Sequence, residues 1–267
     1  YTLSSSATQS IGASQDDQVS TVANIGFAFG FGEETYTQFS VASNGWMRLG
    51  ATAAVTTTTA GQFSSTYMTA AYLPKISGWA REIGTCSNGY IKYELMGTAP
   101  NRVLVVEFKE GYSYSASSAE LEWQVQLYED SNKVVLVYHG SGSASLTSSY
   151  AAAMGMASTP TDLVRINPNT HAMTHHTSYE NTTYYAWPGN GRYYEFVRPI
   201  PTCPKPAAVD INNLGHLSAT LDWTPGGEES QWLVYVDTVA FDAATSTPSV
   251  VSDNTLDLTG PTPRKLS

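Results

Sequence analysis

Residues 25–50 read IGFAFGFGEETYTQFSVASNGWMRLG. Ile25, Phe27, Phe29 and Phe31 fall on every second position, with Gly26, Ala28 and Gly30 between them. A period of two belongs to a strand, because successive side chains leave the backbone on opposite faces. Phe39 and Val41 resume the alternation up to Ser43-Asn44-Gly45. Asn-Gly there predicts a hairpin, since both residue types tolerate positive φ, and Trp46-Met47-Arg48-Leu49 forms the return strand. The small residues between the phenylalanines let another layer approach closely. The stretch is therefore read as the scaffold of a β module, with no chemistry of its own.

Composition extends this reading. Charged residues are 13% of the 267 and the formal net charge is −10. Hydroxyl and aromatic residues abound while good helix formers are scarce, which fits a β-rich secreted or cell-surface protein. Lysine and arginine total 13 and form no run longer than Arg264-Lys265. Without a basic stripe the chain cannot grip a phosphate backbone, so nucleic acid is excluded as an expected partner. No apolar run approaches the ~20 residues that cross a bilayer. In an exported protein, Tyr1 would begin the mature chain or an expressed fragment.

Strand signals continue along the chain. Tyr1-Thr2-Leu3 is a weak one, residues 51–60 read as a Thr/Ala loop, and Tyr67–Leu73 as a short helix stopped by Pro74. In residues 90–95, Ile91, Tyr93 and Leu95 share a face. Residues 102–108 (RVLVVEF) are apolar on both faces, as in a strand covered on both sides. Residues 120–128 alternate cleanly, with Leu121, Trp123, Val125 and Leu127 inward, and Glu120, Glu122, Gln124 and Gln126 on an outward face expected to be solvated. The turn at 129–133 leads into Val134–Tyr138, and further strands are expected at 151–156 and 192–197. Many short strands between Gly, Ser and Asn turns predict an antiparallel sandwich.

The run Pro199-Ile200-Pro201-Thr202-Cys203-Pro204-Lys205-Pro206 is too proline-rich for a sheet interior and reads as a stiff linker. The organisation predicted is all-β, two antiparallel β-sandwich domains in series: a large jelly-roll or nidogen-like module over 1–200, a linker at 201–206, and a second domain over 207–267. In the second, CPKPAAVDI, SATLDWTPGGEESQWLVYV and LDLTGPTP resemble a fibronectin type III domain, with Trp223 and Tyr235 expected on paired strands. The resemblance implies seven strands, of which the last two lie beyond Ser267. The sequence stops there, has been clipped there, or is completed by a strand from another subunit.

IGFAFGF, YTQFSVASNGWMRLG, APNRVLVVEFKE and WQVQLYEDSNKVVLVYHG in the first domain resemble nidogen-like modules of secreted surface proteins of Bacteroidetes-type bacteria. The resemblance implies an exported, non-catalytic module of an adhesin, filament or enzyme accessory region, exported by type IX secretion, and transfers no catalytic residue. The two cysteines, Cys86 and Cys203, fit a single disulfide or two unrelated thiols. Cys86 and Cys203 bridge, which is the expectation here, or Cys203 pairs beyond the missing strands as in fibronectin-like repeats.

The candidates for chemistry are few. His171 and His175 stand four apart and would face one metal on a helix, although their Asn/Thr/Ser surroundings do not propagate one. Asp16 and Asp17 would offer two of the six to eight oxygens that calcium takes, and turn chemistry is the simpler role. No nucleophile elbow, H-E-x-x-H or P-loop is present. Aromatic residues in loop-like segments are the better lead, since flat rings stack on sugars or anchor interfaces. Tyr112, Tyr114, Trp79 and Trp187 are the nominated ligand-binding set, with Tyr112 and Tyr114 first. The expected function is a non-catalytic structural or adhesive module whose partners are other subunits or neighbouring domains. The alternative is a carbohydrate-binding module that contacts glycans, and no cofactor beyond a calcium ion is expected.

Overall fold

The computed structural model describes residues 1–55, 59–113, 116–140, 152–197, 206, 208–215, 218–226, 232–234, 249–251 and 255–259. The chain divides into two compact units, residues 1–198 and 199–267. The described residues form strands, turns and loops and contain no helix.

The described residues of the first unit form thirteen strands. In chain order they are β1 (Thr8–Ile11), β2 (Ala23–Phe31), β3 (Glu34–Ala42), β4 (Trp46–Leu49), β5 (Lys75–Ala80), β6 (Ile83–Met96) and β7 (Val103–Ser113). They continue with β8 (Ala116–Tyr128), β9 (Val134–His139), β10 (Ala153–Thr159), β11 (Asp162–Ile166), β12 (Met173–His176) and β13 (Tyr193–Phe196). Sheet A has the order β1-β6-β7-β8-β9-β13 and sheet B the order β12-β11-β10-β5-β4-β3-β2. All pairings are antiparallel.

The inner faces of the two sheets make one apolar core. Ile25, Phe27, Phe29, Phe39 and Val41 of sheet B are buried with Leu104, Val106, Phe108, Trp123, Val125 and Leu136 of sheet A. Phe39 meets Tyr93 edge to face at 5.2 Å, and Phe108 stacks on Trp123 at 4.5 Å. Each such side chain contributes roughly 1.5–3 kcal/mol on burial. The alternation read over residues 25–31 is thus the inward face of β2. Its small residues serve a neighbour at one point: Leu95 lies over Gly26, whose φ is +98° and whose Cβ would fall 2.5 Å from Leu95 Cδ2.

The turn at Ser43-Asn44-Gly45 joins β3 to β4, with Ala42 paired to Trp46. Gly45 alone carries the positive φ, +83°. Any Cβ there would sit 2.1 Å from the Trp79 carbonyl oxygen. Asn44 is buried, and its Oδ1 accepts from the Ile83 amide at 3.1 Å. The turn thereby clamps the corner at Arg81-Glu82, where the chain leaves sheet B for sheet A.

Sheet B is also covered on its outer face. Residues 51–55 and 59–74 lie there as an irregular layer, and Ala54, Ala60, Phe63, Met68 and Leu73 pack on Trp46, Ala80, Ala153 and Leu163 in a second apolar cluster. The layer is pinned by buried cations that hold backbone carbonyls. Lys75 Nζ donates to the carbonyls of Ala60 (3.0 Å), Tyr67 (2.8 Å) and Gln62. Arg48 donates to Ala53, Ala70 and Leu73. Arg165 holds carbonyls outside the layer, those of Met154, Glu180 and Thr182. Phe63 lies between Lys75 and Arg165, 5.2 and 4.7 Å from their charged centres. Burial, with Arg165 adding to it, pushes the Lys75 ammonium down to about 7, and burial pushes Arg165 down to about 10.

Three expectations are corrected. Tyr67–Leu73 is a series of turns, with only Met68 N to Ser64 O in a helical pattern, because this segment exists to deliver carbonyls to Lys75 and Arg48. Tyr1–Leu3 is not a strand; the pairing begins at Thr8, against β6. Gln124 and Gln126 leave the sandwich core but are not solvated, being 1% and 3% exposed.

In the second unit, β14 (Ala208–Asn212), β15 (Ser218–Thr224) and β18 (Thr255–Thr259) form one sheet, and β16 (Trp232–Val234) pairs with β17 (Ser249–Val251). Trp223 and Trp232 meet at 5.5 Å, so the tryptophans join two separate sheets. The strand of Trp223 pairs with β14 and β18 and not with β16, while Tyr235 lies outside the described residues. In register, Val209 and Ile211 face the same way as Trp223 and Leu221, yet they are 58% and 50% exposed.

Candidate functional site

Two of the nominated aromatics, Trp79 and Trp187, pack with the core and not on an open surface. Trp79 is fully buried on β5. Trp187 is half-buried, and its ring meets Trp79 at 5.1 Å, Tyr138 at 5.3 Å and Trp123 at 6.3 Å, each edge to face. The connection between β12 and β13 brings Trp187 back over the end of the sandwich, where it closes the core. Reading 79 and 187 as loop positions hid this, because β5 follows directly on Pro74 with no alternation to announce it. The backbone of Tyr112 belongs to β7, opposite Gly84. Its side chain, and Tyr114 altogether, lie outside the described residues.

The histidines do not converge either. The helix that would bring His171 and His175 to one metal is absent: residues 173–176 are a strand paired with β11. His171 (φ 60°) instead shares a 2.9 Å hydrogen bond with the Tyr194 hydroxyl, linking the margin of sheet B to that of sheet A. His175 Nε2 lies 3.1 Å from Asp162 Oδ1, and His176 Nδ1 lies 4.0 Å from Glu180 Oε2. The last two are ordinary surface pairs.

Asp16 and Asp17 gain a third carboxylate that the sequence did not associate with them. One oxygen each of Asp16, Asp17 and Glu82 lie within 4.8 Å of one another. Asn44 assembles the group: its Nδ2 donates to Asp17 at 2.7 Å while its Oδ1 holds the residue after Glu82. This offers three of the six to eight oxygens that calcium takes. Cys86 is half-buried on β6, and Cys203 lies outside the described residues, so the bridge expected between them does too.

The outer face of sheet A carries the most developed polar arrangement. Tyr128 donates to Gln126 Oε1 (3.0 Å), Gln126 to Gln124 Oε1 (2.9 Å), and Gln124 to Glu107 Oε2 (2.7 Å). From the other side Tyr90 donates to Glu107 Oε1 (2.9 Å). The row thus runs from both sides to one carboxylate. Glu107 opposes Gln124 across β7 and β8, with Val105 opposite Gln126 and Val103 opposite Tyr128. Residues 1–6 cross this face: Gln124 Nε2 donates to the Tyr1 carbonyl at 2.8 Å, and the Ser4 amide and hydroxyl each donate to Glu94 at 2.6 Å. The Ser4 bonds hold the Glu94 carboxyl below its ordinary value. Burial raises the Tyr128 phenol. Strand alternation placed Gln124 and Gln126 on this face, but nothing in the sequence indicated that residues 1–6 cover them.

Two antiparallel sheets around an aromatic core, with no helix among the described residues, define a β-sandwich module. A family model described as NIDO related matches residues 1–198, and the chain belongs to that family. No curated protein and no solved structure matches it.

Proposed function

We propose that this chain is a non-catalytic structural and adhesive module of an exported surface protein, and that it works by contact with further copies of itself. One observation carries the reading. Among the described residues, the large apolar side chains left exposed are concentrated in one stretch of chain. All but Tyr1 and Leu95 fall between Met173 and Leu214: Met173, Tyr179, Tyr185, Tyr193, Val197, Val209, Ile211 and Leu214. Within it, β12 and β13 are the edge strands of their sheets. Open edges and exposed aromatics are the materials of β-sheet association. The NIDO-related family and the low charge support an extracellular setting. Sedimentation velocity tests the proposal: the chain should associate with rising concentration, and Tyr193→Ser should weaken association.

A second reading, glycan binding, is favoured by a different observation. The outer face of sheet A sets amides, a carboxylate and two phenols in one hydrogen-bonded row. That is the group set that recognises sugar hydroxyls.

A further inference from the structure

We infer that the outer face of sheet A is a saccharide-binding platform, and that residues 1–4 lie across it as a strap which a neutral hexose chain displaces. This rests on the second reading above and assigns it a site.

The central residues are an odd choice for a merely structural face. Glu107, Gln124 and Gln126 are 7%, 1% and 3% exposed. Burying amides and a carboxylate beneath a short crossing segment costs desolvation that apolar residues on the same positions would avoid. Here that cost yields a rigid set of oriented donors and acceptors. An amide offers both kinds of group, as does a sugar hydroxyl. Val103, Val105 and Val135 are buried beside them on the same face, so the surface alternates polar and apolar as the two aspects of a pyranose do.

The strap is held by bonds that a sugar hydroxyl can replace, Gln124 to the Tyr1 carbonyl and Ser4 to Glu94, and by the Tyr1 ring, 6.4 Å from that of Tyr128, a contact that a sugar face can take over. A neutral rather than a charged sugar fits, because the lysines at the rim are already engaged. Lys92 lies 4.3 Å over the Tyr90 ring, and Lys133 lies 4.5 Å over Tyr128 and 3.3 Å from Glu195.

The test is calorimetric titration of the full chain with soluble glucan, galactan and mannan oligosaccharides. Three proteins are compared: the wild type, Glu94→Ala, which releases the strap, and Gln124→Leu/Gln126→Leu, which removes the central amides at similar volume. The expected result is binding that tightens in Glu94→Ala and weakens about tenfold or more in the double variant, the loss of one or two hydrogen bonds. Thermal melts confirm that each variant folds, and Gln126→Glu replaces the double variant if it does not. Binding left unchanged by the amide substitutions overturns the platform while the glycan reading stands. No binding by any protein, Glu94→Ala included, overturns both.

Discussion

The Trp123 indole lies directly on Gly78, so that a Cβ at position 78 would stand 2.2 Å from Trp123 Nε1 and 2.5 Å from Cδ1. The contact joins β8 of sheet A to β5 of sheet B and sets how closely the sheets approach. Tyr138, from the neighbouring β9, donates its hydroxyl to the Gly78 carbonyl at 2.6 Å. Gly78→Ala should therefore push the sheets apart and lower stability by about 1–3 kcal/mol or more. Tyr138→Phe should cost about 1–3 kcal/mol by leaving that buried carbonyl unpaired. Urea denaturation measures both, and a neutral Gly78→Ala would mean that the sheets are not in contact there.

Trp79 and Trp187 act as core, which separates them from any ligand surface. Trp79→Ala should cost roughly 3–5 kcal/mol, and Trp187→Ala less, because Trp187 is only half-buried. Thermal melts should show both losses, Trp79→Ala the larger. A Trp79→Ala protein of wild-type stability would return that residue to the surface.

Lys75 makes stability depend on alkaline pH. Its folded value is near 7 and its ordinary value is 10.5, so between these limits the unfolded chain holds the extra proton. Stability then rises with pH across that window, by up to about 1.4 kcal/mol per unit, and is flat in this term below it. Three carbonyls favour the ammonium and temper the slope. The difference in unfolding free energy between wild type and Lys75→Met should accordingly widen in favour of wild type from neutral pH upward. A difference that does not change with pH would show that the ammonium is not strained by burial.

Glu94 gives the same sign, but in the acid range. Ser4 holds its carboxyl below the ordinary glutamate value, so the tie is complete above that value and is lost as pH falls through the lowered one. Acidification should release residues 1–6 before the sandwich unfolds, seen as early loss of amide protection at Ser4. Protection that persists until global unfolding would contradict the tie.

What could be read in advance follows from how local the cause is. The inward faces of β2, β7, β8 and β9 were legible because alternation and apolar runs are properties of neighbouring residues. The Gly45 turn was legible too, although its reason is the distant Trp79 carbonyl. β5 carries no alternation, since its residues are buried on both faces, and the layer that buries its outer face has no periodicity at all. The burial of Gln124 and Gln126 depends on a segment more than a hundred residues earlier in the chain, and the joining of Glu82 to Asp16 and Asp17 depends on Asn44. Such relations are set by tertiary contacts that no local pattern announces.

The most direct test of the proposed role is sedimentation velocity of the full chain over a wide concentration range, with Tyr193→Ser and Ile211→Ser beside it. The expected result is a sedimentation coefficient that climbs with concentration in the wild type and climbs less in either variant. A wild-type chain that stays monomeric throughout, or variants that associate as it does, would contradict it.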